Sequence, residues 1–282
     1  MKLVVNNRVL DLSTTQVMGI LNVTPDSFFD GGLYCTVPKA IDHVAAMIND
    51  GATMIDIGGE STRPGSKRIS EMEESDRVLP VLYEIVKRFN IFISINTSSP
   101  LIMKEGSQVG AHLINDTRSF STLESMKVMS RSKLLLCLTH SNDCNQQSSG
   151  NFNIVYEVHN YFSKQILRLK QAGINKNRLL IDPGFGFGKN LANSYQLLLN
   201  LKYFHCFHLP ILIGISRKSM INYGKCISPK NKLIGSIACA VVAAVQGIQI
   251  IRVHDVKETI EALQVIKTMQ KFNRNKMVNI II

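Results

Sequence analysis

Short apolar runs recur along the chain. Each is followed by a polar loop and then by a stretch with helical spacing. The runs at 17–21, 53–57, 91–95, 112–114, 134–138, 178–181, 211–215 and 249–253 read as buried strands. Helical periodicity covers 37–50, 71–89, 100–106, 121–130, 154–171, 193–204, 232–246 and 256–272. Gly51 and Gly247 follow two of these helices directly and Gly173 follows a third one residue on, where a left-handed stop residue belongs. Strands that alternate with helices imply parallel pairing through helical crossovers. Eight such units over this length predict a closed (β/α)8 TIM barrel rather than an open doubly wound sheet. Ahead of it, two apolar runs within 3–10, split by Asn6-Asn7, predict a small β-hairpin. The chain is expected to be one domain over 1–282, with the hairpin in 1–15 and the barrel in 16–273.

Composition changes this picture little. An apolar fraction of 45% over 282 residues is enough for a substantial core. No run approaches the roughly 18 apolar residues of a membrane span, and the opening MKLVVNNRVL is too short and too interrupted for a signal peptide. The six cysteines are scattered without a CxxC pair, as expected of reduced thiols in a cytosol. The net charge of +11 is spread along the chain, without a basic block or basic–aromatic interleaving. That distribution argues against a nucleic-acid partner and for a field that draws small anions to a cleft.

The chemistry gathers at the strand ends. The stretch MGILNVTPDSFFDGG, from Met18 to Gly32, is a buried strand opening into a loop with far more oxygen donors than a turn needs. Asn22, Asp56, Asn96, Asn115, Asp182, Lys218, Arg252 and His254 all lie at or near strand ends. In a barrel those ends share one face, so residues remote in sequence converge. Arg252 and His254, two apart, suit an anion, since arginine offers a planar fork of donors; an ion pair with Asp255 is the alternative. Asp56 and Asp182 could accept an amidine-like pair of N–H groups, or simply cap turns. Asp182 leads into PGFGFGK, whose glycines permit close backbone approach and whose Phe185 and Phe187 offer flat apolar walls. The basic run Ser216-Arg217-Lys218-Ser219 is either a second cationic patch or a solvated loop. HExxH, CxxC and GxSxG are all missing. Binding and orientation, rather than a protein nucleophile, are therefore expected to carry the reaction.

The motifs MGILNVTPDSFFDGG, DIGGESTRPGS, INDTRSF, DPGFGFGKN, IGISRKS and RVHDV resemble, in this order, those of the dihydropteroate synthases. The resemblance spans about Met18 to Val256 and implies a cytoplasmic, homodimeric, Mg²⁺-dependent (β/α)8 transferase of folate biosynthesis, the target of sulfonamides. The implied reaction joins 6-hydroxymethyl-7,8-dihydropterin diphosphate to 4-aminobenzoate, giving 7,8-dihydropteroate and diphosphate. Carried over by motif, Asn22 would ligate Mg²⁺. Thr62, Arg252 and His254 would bind the diphosphate. Asp56, Asn96, Asn115, Asp182 and Lys218 would hold the pterin, with Arg252 stacked on it. Phe28, Arg63, Pro64, Phe187, Lys218 and Ser219 would frame the aminobenzoate. The catalytic set implied is Asn22, Asn96, Lys218, Arg252 and His254.

Two departures stand out. The family's third strand usually ends in Asp-Thr, whereas this one has Asn96-Thr97. An amide keeps an acceptor and loses the charge. The fifth strand usually runs into Met-His-Met-x-Gly-x-Pro; here it is Leu138-Thr139-His140-Ser141-Asn142-Asp143, which leaves the order of the 139–153 loop open. These departures motivate an alternative, a slow or idle pterin-binding homologue. A pterin-dependent methyltransferase domain is a further alternative, opposed by the NVTPDSF and RPGS loops.

Overall fold

In the computed structural model, we describe all residues except 7, 25–35, 61–68, 142–152, 223–231 and 279–282, and no side chain beyond Phe272. A short antiparallel hairpin of β1 (Lys2–Val5) and β2 (Arg8–Asp11) comes first. Leu3 and Val5 turn into the core while Val4 faces solvent. Asn6 takes a left-handed φ of 47° at the turn, a conformation asparagine tolerates. Its Nδ2 donates to Ala111 O at 3.4 Å, and Arg8 Nη1 donates to Ile91 O at 3.1 Å. The hairpin is thereby pinned across the N-terminal end of the sheet.

Eight parallel strands follow: β3 (Gln16–Asn22), β4 (Met54–Gly58), β5 (Phe92–Asn96), β6 (Leu113–Asp116), β7 (Leu135–Thr139), β8 (Leu179–Asp182), β9 (Leu212–Ile213) and β10 (Ile250–Val253). Their order in the sheet is β8-β7-β6-β5-β4-β3-β10-β9. A bridge between Ile181 and Ile211, with Ile181 N donating to Pro210 O at 3.0 Å, brings β8 against β9 and rounds off the ring. The expected TIM barrel with its N-terminal hairpin is thus present. The strands bury both faces, which explains their near-continuous Ile, Leu and Val content.

The crossover helices are α1 (Val37–Asn49), α2 (Glu71–Arg88), α3 (Pro100–Val109), α4 (Leu123–Arg131), α5 (Ile154–Gln171), α6 (Leu191–Leu199), α7 (Leu233–Val245) and α8 (Val256–Val278). Several starts are fixed by local chemistry. Ser70, Ser99, Thr122, Asn153 and Asn190 each accept a backbone N–H of the first turn. In α2, acids at 71, 73 and 74 and bases at 87 and 88 complement the helix dipole. Among the described residues no helix is long and apolar enough to cross a membrane.

Several bounds differ from expectation: the helix predicted over 100–106 runs on to Val109, and the one over 256–272 to Val278. The helix predicted over 193–204 begins earlier, at Leu191, and stops at Leu199; a 3-10 segment, Leu201–Phe207, carries the chain onward to a left-handed His208. The strand predicted over 211–215 shrinks to Leu212–Ile213, because Ile215 O already accepts Lys218 N in a turn. The polar residues predicted just past the strand ends are in several cases the last residues of the strands themselves, as with Asn22, Asn96 and Asp182.

Candidate active site

Register decides which side chains meet. Residues paired across parallel strands face the same side. Asn22, Gly58, Asn96, Asn115 and Cys137 form one interior row around the barrel. Ile20, Asp56 and Ser94 form the row beneath it. Asp56 is therefore not at the rim; it is the middle residue of β4 and fully buried. Its carboxylate is saturated with donors. Ser94 Oγ and Arg252 Nε each stand at 2.5 Å, Asn115 Nδ2 at 3.3 Å and Asn96 Nδ2 at 3.5 Å. Donors from β5, β6 and β10 reach one carboxylate because β4 lies between them in the ring.

This network decides how the charged groups pair. The partner of Arg252 is Asp56, not Asp255. Asp255 instead pairs with Arg217, whose φ of 58° is held by Ser236 Oγ accepting its N–H at 2.9 Å. Half of the basic pair is thus tied down in an ion pair, and Lys218 is the half that lies over the Phe187 ring. Ser94 was missed because a lone serine in an apolar strand looks structural. Its signal was parity: it stands two residues before Asn96 and so shares that face.

Asp182 ends β8, beside Thr139 of β7 in register. Burial pushes its carboxyl up to about 6, opposed by the Gly184 N–H it accepts at 2.8 Å and by Lys218, Lys189 and Arg252. Burial likewise lowers Lys218 to about 8, helped by Arg252 and opposed by Asp182. The Lys218 ammonium lies 4.7 Å from the centre of the Phe187 ring, a cation–π contact. Asn115 is buried, and its Oδ1 has no hydrogen-bond partner. A buried acceptor left open beside Asp56 is costly unless a ligand fills it. His254 follows β10, with its Nδ1 3.2 Å from Ser216 Oγ. Ser219 is exposed, one residue beyond Lys218.

Asn22, Asp56, Asn96, Asn115, Asp182, Lys218, Arg252 and His254 thus lie at one end of the barrel. Phe28, Thr62, Arg63 and Pro64 lie outside the described residues, as does most of the 139–153 loop. A cavity of about 150 Å³ opens at the opposite end, between the start of β3 and α8. Its lining has one charged side chain, Lys267, and none of the converging acids and amides just described.

His140 is buried and its Nδ1 is unpartnered. Burial, with Lys189 nearby, lowers it to about 3, so it is neutral. His112 is neutral for the same leading reason, lowered to about 4, with its Nδ1 accepting Ile93 N at 3.1 Å.

A model of the pterin binding enzyme family matches residues 18–254, the span over which these groups are collected. The dihydropteroate synthase of Escherichia coli is 50% identical over 279 residues, covering 98% of this chain and 99% of its own. That of Haemophilus influenzae is 42% identical over 268 residues, covering 94% and 98%. The chain belongs to the dihydropteroate synthase family. Solved structures agree. The Yersinia pestis dihydropteroate synthase with a sulfonamide drug complex superposes with a TM-score of 0.92 at 47% identity, covering 96% of this chain and 100% of that one. The Xanthomonas albilineans dihydropteroate synthase in complex with 7,8-dihydropteroate gives 0.84 at 34% identity, covering 95% and 98%. Its activity is that of the family: a transferase of folate biosynthesis that makes dihydropteroate. An idle binding homologue is not favoured by these relatives.

Proposed function

We propose that this dihydropteroate synthase divides its reaction among the residues just described as follows. The pterin slides between Asn115 and Asp182. Asp182, when ionised, accepts the N–H pair of the pterin edge, and the open Asn115 Oδ1 accepts a further N–H. Asp56 clamps Arg252 through the Nε contact and lies beside Asn115 in the pterin slot. The remaining guanidinium donors then face the diphosphate, with His254 beside them. As the methylene C–O bond breaks, Arg252 and His254 stabilise the charge gathering on the leaving diphosphate. The aryl amine attacks the methylene carbon, forms the new C–N bond and gives up one proton to the departing diphosphate. Lys218 and Phe187 frame the aminobenzoate, the ammonium against its carboxylate and the ring against its face, with Ser219, Phe28, Arg63 and Pro64 completing the frame.

Mg²⁺ fits this arrangement at Asn22. Its amide Oδ1 is a hard donor at the rim, and its neighbour on the same interior row, Gly58, presents no side chain there. Among the described residues no group of three metal-ligating acids, histidines or cysteines exists. One protein ligand plus diphosphate oxygens and waters suits Mg²⁺, which keeps much of its hydration. When bound, the ion would supply further charge neutralisation at the diphosphate. We further propose a cytoplasmic homodimer. Exposed Ile234 and Val245 on α7, and Val265, Met269 and Phe272 on α8, offer an apolar face that a second copy would cover.

The observation carrying the assignment of roles is the single carboxylate, Asp56, that gathers Arg252, Asn96 and Asn115. The test is Arg252→Ala. Calorimetry with the pterin diphosphate and Mg²⁺ is expected to show affinity lost by at least about 1.4 kcal/mol, a factor of ten. Unchanged affinity refutes the role. Turnover of the parent enzyme, abolished by EDTA and restored by Mg²⁺, tests the metal, and sedimentation equilibrium tests the dimer.

A further inference from the structure

The Asp182–Lys189 segment turns on glycines at φ 73°, 80° and 63°, at positions 184, 186 and 188. Left-handed backbone at three alternate positions is accessible only to glycine without strain. Between them, Phe185 is buried in the core and Phe187 stands half-buried beneath Lys218. The turn presses on its neighbours. A Cβ at Gly184 would stand 1.9 Å from His140 O, and one at Gly186 would stand 3.0 Å from Lys218 Cδ.

What holds this turn is the last residue of the motif. Lys189 Nζ donates to three backbone carbonyls: Gly184 O at 2.8 Å, His140 O at 3.1 Å and Phe187 O at 3.3 Å. An ammonium has three donors, and all three are engaged. Two of the acceptors lie in the turn and the third follows β7. One cation therefore ties the loop after β7 to the loop after β8, with Phe187 itself among its anchors. Burial, with Lys218, lowers Lys189 to about 8, opposed by Asp182 and Glu157, so the ammonium persists at pH 7.

We propose that Lys189 is a positioning residue of this enzyme. Its caged ammonium sets the height of the Phe187 wall, and thereby the fit of the aminobenzoate, without touching substrate. The inference rests on Phe187 framing the aminobenzoate, as given above. Lysine is required by this geometry because its three donors converge from one compact atom, whereas a guanidinium spreads its donors over a plane.

The experiment is steady-state kinetics of full-length Lys189→Met and Lys189→Arg at pH 7.0 with both substrates and Mg²⁺. For Lys189→Met, KM for 4-aminobenzoate is expected to rise about tenfold, while KM for the pterin diphosphate stays within about twofold. Lys189→Arg keeps the charge and loses the cage, so it is expected to show the same split. If Lys189→Met does not yield folded protein, Lys189→Arg alone carries the test. Equal rises in both KM values, or a fall in kcat alone, would mark a merely structural lysine and overturn the proposal. Restoration of the parent aminobenzoate KM by arginine would also overturn it, because charge rather than the cage would then suffice. A control, Phe187→Leu, separates the two readings. If it leaves the aminobenzoate KM unchanged, the framing role of Phe187 fails, and the proposal falls with it.

Discussion

Replacing Glu74 by glutamine should stabilise the enzyme at neutral and alkaline pH. Glu74 lies in the first turn of α2, buried to 6% exposure, with Oε1 lacking any hydrogen-bond partner. Burial raises its carboxyl from 4.5 to about 7; the Thr97 hydroxyl opposes this, while the Glu60 charge adds to it. Between those two pH values the folded protein holds a proton that the unfolded chain has released. Stability therefore falls as pH rises from about 4.5 to 7, and above 7 the full cost of a buried charge is present. The interval corresponds to about 3 kcal/mol at 1.36 kcal/mol per pKa unit. Relaxation of the helix end reduces this to roughly 1–3 kcal/mol. Glutamine keeps the shape and the acceptor for Thr97, and never ionises. Urea unfolding of both proteins at pH 5, 6, 7 and 8 reads the effect as a shift in midpoint at constant slope. The expected curves nearly coincide at pH 5 and separate by pH 8, with the variant more stable. A difference independent of pH, or a less stable variant at pH 8, would refute the reasoning.

Other perturbations test the site. Asn96→Asp places a second carboxylate where Nδ2 now stands 3.5 Å from Asp56. Its charge would face the cation-like methylene, a gain on the order of 2–4 kcal/mol before repulsion from Asp56 is subtracted; kcat is expected to rise about tenfold, and an unchanged kcat defeats the charge argument. Pterin affinity should fall as pH drops through about 6, because Asp182 must be ionised to accept the N–H pair. Calorimetry from pH 8 to 5 reads it, and Asp182→Asn should bind weakly and flatten the dependence.

Much of this was legible in the sequence, because buried parallel strands and amphipathic helices leave two distinct periodicities. Asn22, Asn96, Asn115 and Asp182 could be placed at one end once the alternation was seen. Depth was not legible. Asp56 sits a row below the rim because β4 extends two residues past it, and strand ends are poorly marked when Gly58-Gly59 follows. Partner choice was not legible either. Asp255 adjoins His254 in sequence, yet Arg217 from the β9 loop reaches it first. The cage around Lys189 is made of carbonyls, and main-chain acceptors leave no compositional trace. The short β9 escaped because 211–215 is apolar throughout, and hydropathy cannot tell strand from turn there.

The circle of strands is thinnest between β8 and β9, where one bridge does the work of a ladder. Asp182 stands on one side of that join, and Lys218 follows the strand on the other. A molecule gripping both acts as a stitch across the seam. Occupancy would therefore stabilise the folded barrel by mass action, and an inhibitor lodged there would raise its resistance to unfolding as well as block it.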